Sequence, residues 1–250
     1  MIELKTKEEI EKLRYCNQIV AEILQYLKEQ IKPGITGVDL DKMAREECEK
    51  RGVKPAFLGL YGFPAALCVS VNEEVVHGIP KKDKIFKEGD LVSIDFGVVV
   101  DGWYGDAAIT VPVGKISERK KRLLKGVEEA LENAIAQCYP GNNLLNVSKA
   151  IEDTLKRYKL SPICEYGGHG IGRKPHEEPF ISNCVFNAES RELKPGMVLA
   201  IEPMATLGKN EVRKLKDNWT VVSKDKSYAA HFEHSIAVTN DGAIVLSKLD

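Results

Sequence analysis

The chain has 250 residues, with 36 Lys and Arg against 37 Asp and Glu, and a formal net charge of -1. That length suffices for one large α/β domain or two small ones around a sizeable core, and the even charge balance excludes a bulk electrostatic hold on nucleic acid or an anionic membrane. The opening MIELKTKEEIEKL is charged, it lacks the apolar stretch of a secretion signal, and no apolar run approaches the length of a membrane span, so a soluble, cytoplasmic protein is expected.

The first helix is predicted to open at a capping box, Thr6 with Glu9. It carries apolar residues at Ile10, Leu13, Ile19, Val20, Ile23, Leu24 and Leu27 and stops at KPG. A second helix is predicted from about Val38 to Arg51 behind another box, Thr36 with Asp39, followed by the Gly/Pro-rich aromatic stretch KPAFLGLYGFPAAL and then strands. The second half repeats this order, with helical patterns from Glu118 to Gln137 and from Leu144 to Tyr158, a glycine-rich loop and strands.

Pro33-Gly34 matches Pro140-Gly141, and KEGDLVSID matches KPGMVLAIE, at one shared offset of 107 residues. Two anchors at one offset imply an internal repeat. The expected fold is therefore a single α+β domain of two pseudo-symmetric halves, about 1–115 and 116–250, with helices packed on antiparallel strands. Six cysteines, Cys16, Cys48, Cys68, Cys138, Cys164 and Cys184, are scattered without a C-x-x-C pair. Reduced thiols serving as small core residues are expected, not a disulfide framework.

Chemistry enters at VSIDFGVVVDGWYGDAAI, residues 92–109. Asp101-Gly102 between alternating apolar residues predicts a two-residue hairpin turn. Pairing Val100 with Trp103 then sets Gly97 opposite Asp106 and makes Asp95 and Asp106 diagonal neighbours on one face. Gly97, without a side chain, is expected to leave the space between them open. A lone strand aspartate usually faces solvent, but here two share one face of an apolar hairpin, and Glu202 holds the repeat-equivalent place of Asp95. Unpaired buried carboxylates raise each other's pKa unless a cation neutralises them.

Glu233, in AAHFEHSIAVT, is a further strand acid; its neighbours His231 and His234 form no H-E-x-x-H motif and are expected to be packing or surface residues. His169 lies in the glycine-flanked EYGGHGIGRKPHEEP, with His176 close behind, and Arg173 in place of a last glycine rules out a dinucleotide loop. Asp95, Asp106, His169, Glu202 and Glu233 make a hard, oxygen-rich donor set suited to paired Co, Mn, Fe or Zn ions. Such a pair lowers the pKa of a shared water and clamps a carbonyl oxygen, which suits hydrolysis of an amide or ester.

The successive phrases VNEEVVHGIP, IDFGVVVDGWYGD, GGHGIGRKPHEEP, MVLAIEPM, KDNWTVVSKD and HFEHSIAVT resemble, in order, the motifs of the type I methionine aminopeptidases, whose fold is called pita-bread. The resemblance runs from Ile2 to Asp250. It implies metal-dependent removal of the N-terminal methionine from nascent proteins and peptides, with a small second residue preferred, by attack of a metal-bridging hydroxide. Two divalent ions are implied, with Asp95 chelating one, Asp106 and Glu233 bridging both, and His169 and Glu202 on the second; Glu202 also carries a proton.

By the same resemblance His77 binds the scissile amide, His176 steadies the carbonyl oxygen, and Phe57, Leu60, Phe63, Cys68 and Trp219 form the methionine pocket. Phe57, Leu60 and Phe63 stand where some bacterial relatives have cysteine and tyrosines. The implied partners are a peptide N-terminus and, with it, the ribosome. A monomer with no nucleic-acid substrate and no membrane is expected. The alternatives are a proline-directed pita-bread peptidase, which usually carries an added N-terminal domain, and a metal-free binding protein of the same fold, which typically loses the ligands retained here.

Overall fold

The computed structural model describes residues 2–249. In the first half, helices α1 (Lys7–Gln30) and α2 (Gly37–Arg51) precede strands β1 (Lys54–Pro55), β2 (Leu67–Val71), β3 (Glu74–Val76), β4 (Leu91–Val100) and β5 (Trp103–Pro112). In the second, α3 (Glu118–Ile135) and α4 (Leu144–Arg157) precede β6 (Ser161–Pro162), β7 (Gly167–Gly170), β8 (Glu177–Ser182), β9 (Val198–Ile201) and β10 (Met204–Thr206). The chain then adds β11 (Val212–Lys214), β12 (Val221–Ser223), β13 (Ala229–His231), β14 (Glu233–Thr239) and β15 (Gly242–Val245).

Nine strands form one sheet in the order β1-β4-β5-β14-β9-β7-β8, with β2 on β4 and β15 on β14, and every pairing in it is antiparallel. The β5–β14 pairing joins the halves, so acids from both meet on continuous backbone. Two three-stranded sheets, β13-β10-β6 and β11-β12-β3, complete the strands.

Both predicted capping boxes form: Thr6 caps α1 with Glu9 returning to its backbone, and Thr36 does the same with Asp39 at α2. Each satisfies two N–H groups that the first helical turn leaves free. The apolar stripe of α1 packs with α2 on β2, β4 and β5 in one core, while α3 and α4 pack on β9 and β14 in a second. Four helices thus back the antiparallel sheet in two similar halves, the α+β arrangement expected from the repeat.

Two expectations need correction. Cys164 and Cys184 are joined by a disulfide, while Cys16, Cys48, Cys68 and Cys138 are free and buried. The bond closes the base of the β7–β8 hairpin, where chain reversal brings together cysteines 20 residues apart. The space over Gly97 is not left open, because a Cβ there would lie 3.1 Å from Ala56 Cβ and 3.1 Å from Phe57 Cε1. The missing side chain admits the wall of the adjoining pocket.

Candidate metal centre and active site

The β4–β5 hairpin has the expected register. Val100 pairs with Trp103, Gly97 with Asp106 and Asp95 with Ala108, and the turn residues Asp101 and Gly102 have φ of 50° and 76°. Across the sheet Glu233 pairs with Ala108, which makes it a diagonal neighbour of Asp106. His169 pairs with Ala200, and Glu202 follows that strand by one residue. Strands β4, β5, β7 and β14 therefore deliver four of the predicted ligands to one face by period-two alternation and register, and Glu202, just past the end of β9, supplies the fifth.

The helix beneath sets the depth of this floor. α1 approaches β5 so closely that a Cβ on Gly105 would stand 2.8 Å from the Cys16 carbonyl carbon. The contact lets Asn17, fully buried, accept the Asp106 backbone N–H at 3.1 Å while its own amide donates to Leu13 at 2.9 Å. Ser235 Oγ donates to the Asp106 carbonyl at 2.8 Å. Both backbone groups of Asp106 are thereby fixed.

One cavity of about 170 Å³ is lined by all the predicted ligands, by His77 and His176, and by Phe57, Leu60, Phe63, Cys68 and Trp219. Donor atoms of Asp106, His169 and Glu233 lie within 4.8 Å of one another. Glu202 Oε1 is 3.6 Å from His169 Nε2. Asp106 Oδ1 and Glu233 Oε1 are buried with no hydrogen-bond partner. Such oxygens are costly in a protein interior unless a cation meets them, so this donor set fits hard divalent ions.

Burial drives the titration of the centre. It raises the carboxyls of Asp106, Glu202 and Glu233 well above the ordinary range, with neighbouring acids adding to it for Asp106 and Glu233. Asp95 is pushed up to about 7, first by burial and then by Glu202, against the opposing pull of His231. His169 falls to about 3, chiefly by burial, so its ring is neutral near pH 7. Its Nδ1 lies 3.0 Å from the Gly170 carbonyl; donation there leaves the Nε2 lone pair for a metal. The same desolvation pushes the Cys68 thiol up, which makes it an apolar wall and not a thiolate ligand.

His77 has φ 58°, an uncommon left-handed conformation for a residue other than glycine. Its ring meets Tyr166 and Trp219 edge-on at 5.7 and 6.4 Å, and burial first, then His231, lower its pKa to about 4. The His176 ring is 4.5 Å from that of His169. On the apolar side Phe63 and Trp219 pack edge to face at 5.1 Å.

Four neighbours of the site were not anticipated. Tyr61 and Val76 also line the cavity, and Tyr61 stacks on His176 at 6.5 Å. Asn17 was signalled only by its place as a polar residue within an apolar helical stripe. His231, expected to be packing or surface, is buried with Nε2 3.3 Å from Glu202 Oε2. His234 is a packing residue as expected, with Nδ1 2.9 Å from Ser247 Oγ.

Compared with known proteins, the chain matches metallopeptidase family M24 over residues 11–240. It belongs to that family. The M24 chain is 50% identical to the methionine aminopeptidase of Aquifex aeolicus over 256 residues, covering 99% of each, and 45% identical to methionine aminopeptidase 1 of Bacillus subtilis over 249 residues, covering all of both. The crystal structure of the Thermotoga maritima methionine aminopeptidase superposes with a TM-score of 0.97 at 46% identity, covering all of both chains. These full-length identities group it with the type I methionine aminopeptidases of the family, and its fold is their pita-bread fold.

Proposed function

We propose that this M24 chain is a metal-dependent methionyl aminopeptidase that removes the N-terminal methionine from peptides and nascent proteins. The observation that carries the reading is the adjacency, in one cavity, of an acid-rich donor set and a closed aromatic pocket. Full-length similarity to methionine aminopeptidases supports it. The halves 1–115 and 116–250 act as a single catalytic domain, since the first supplies Asp95 and Asp106 and the second His169, Glu202 and Glu233.

Those five residues would hold two divalent cations among Co, Mn, Fe and Zn. When bound, such ions polarise a carbonyl oxygen and acidify a coordinated water. The chain's other groups orient the substrate. Phe57, Leu60, Phe63, Cys68 and Trp219 take the methionine side chain, whose unbranched thioether gains from aromatic neighbours. His77, neutral at the cavity wall, hydrogen-bonds the scissile amide. His176 donates to the carbonyl oxygen as charge develops there. Glu202, kept basic enough by burial to hold a proton, carries one to the leaving amine nitrogen.

A small second residue is preferred, because a bulky one would meet the cavity rim beside Tyr61 and His176. The protein works as a cytoplasmic monomer on chains emerging from the ribosome; among the described residues no helix is long and apolar enough to cross a membrane. The test is release of the first residue from Met-Ala-Ser and from Ala-Pro-Ser by metal-stripped protein titrated with Mn or Co. Methionine release that appears with metal is the expected result. Cleavage before proline would instead support the proline-directed alternative, and silence with every ion would support a binding protein.

A further inference from the structure

His231 has no task in the scheme above, yet it is among the most firmly held residues of the centre. Its backbone N–H donates to Thr110 Oγ1 at 2.9 Å, and the Thr110 hydroxyl lies 2.7 Å from the His231 carbonyl oxygen. Thr110 is also linked to Ser93 at 2.8 Å, so the backbone of His231 is tied to the hairpin that carries Asp95 and Asp106. Through β13 it also pairs with Met204, two residues past Glu202.

The ring is 2% exposed and does not line the cavity, so it does not face substrate. Its Nε2 is buried with no hydrogen-bond partner, and Glu202 Oε2 lies 3.3 Å from it. The other oxygen of the same carboxylate is 3.6 Å from His169 Nε2. Glu202 thus has an imidazole at each oxygen, one on the ligand side and one behind.

We propose that His231 is a positioning residue: its Nε2–H engages Glu202 Oε2 and fixes the rotation of that carboxylate, leaving Oε1 turned toward the cation site and the reacting amide. A buried donor behind a ligating carboxylate limits its orientations, and loss of such outer partners typically weakens metal affinity or activity by about 10–100-fold. The inference rests on the function proposed above for Glu202. It assigns a separate and testable role to a different residue.

The test compares His231→Leu, which removes the donor, with His231→Gln, which keeps an amide N–H at comparable reach. Mn affinity is read by titration calorimetry on stripped protein, and kcat and KM with Met-Ala-Ser. His231→Leu is expected to weaken Mn binding and lower kcat by about 10–100-fold with KM little changed, while His231→Gln recovers most of both. Parent-like Mn binding and kcat in His231→Leu, or equal loss in the two variants, overturns the proposal.

Should His231→Leu not fold, nitrogen-15 histidine spectra of the Zn-loaded parent decide. An Nε2–H tautomer at His231 is expected, and a proton on Nδ1 alone overturns the assignment. A parent that binds Mn but releases no methionine would sink the function itself, an outcome distinct from an active parent with unaffected variants.

Discussion

The cavity has two unlike walls. Its floor consists of strand residues, Asp95, Asp106, His169 and Glu233, whose directions follow from ladder register. Its side is the turn-rich segment 57–63, in which Gly59, Tyr61 and Gly62 have φ of 80°, 49° and 87° and local bonds such as Phe63 N to the Leu60 carbonyl hold the shape. A floor on paired strands can tolerate costly, unpartnered carboxylates because many backbone bonds share the load. A side wall of turns depends on its own apolar packing. Changes to the floor should therefore alter chemistry before fold, and changes to the side wall the reverse.

The sharpest test of that contrast is Asp106→Asn. Losing a carboxylate from the donor set should reduce bound metal and lower turnover by more than about 100-fold, measured by metal analysis and methionine release. The metal-free variant should nevertheless melt at or above the parent, because the substitution removes a carboxyl whose ionisation burial and its acidic neighbours oppose in the folded state. A lower melting temperature without metal would break the comparison. pH adds an independent check. Burial pushes the Asp95 carboxyl up to about 7 in the folded protein, from an ordinary aspartate value of 3.8. Between those values the folded state binds more protons than the unfolded one, so metal-free stability falls as pH rises through this window and stays low above it. Metal binding, which needs the ionised acids, strengthens over the same range. Urea midpoints with and without Mn at several pH values would show both slopes.

On the side wall, Phe63→Ala should cost about 3–5 kcal/mol of stability, since the ring is nearly fully buried and packs edge-on against Trp219. KM for methionyl peptides should rise with Mn affinity unchanged. Loss of Mn binding in this variant would show that floor and wall are not separable.

The same contrast explains what was legible in the sequence. Asp101-Gly102 fixed the hairpin register locally, and register fixed the diagonal relation of Asp95 and Asp106. The offset of 107 pointed to Glu202 because two halves of one sheet repeat their geometry. His231 was obscured because its partner, Glu202, is 29 residues earlier and arrives through the β10–β13 pairing, which no local pattern announces. The Cys164–Cys184 bond was hidden for a similar reason, since it depends on closure of the β7–β8 hairpin. Gly97 was read as a gap because the return of Phe57 over the sheet is a tertiary contact.

Asn17 gives the smallest effect and the finest discrimination. It lies on α1, outside the cavity, and touches the centre only through the Asp106 backbone. Asn17→Ala leaves that N–H buried without its acceptor, which should cost about 1–3 kcal/mol in urea unfolding. If the floor owes its geometry to backbone register, the strand pairing still holds Asp106 in place, and Mn affinity should change far less than in His231→Leu, where the Glu202 carboxylate loses the donor behind it. Comparable losses of Mn affinity in the two variants would mean that the helix beneath, and not the sheet, determines where the Asp106 carboxylate points.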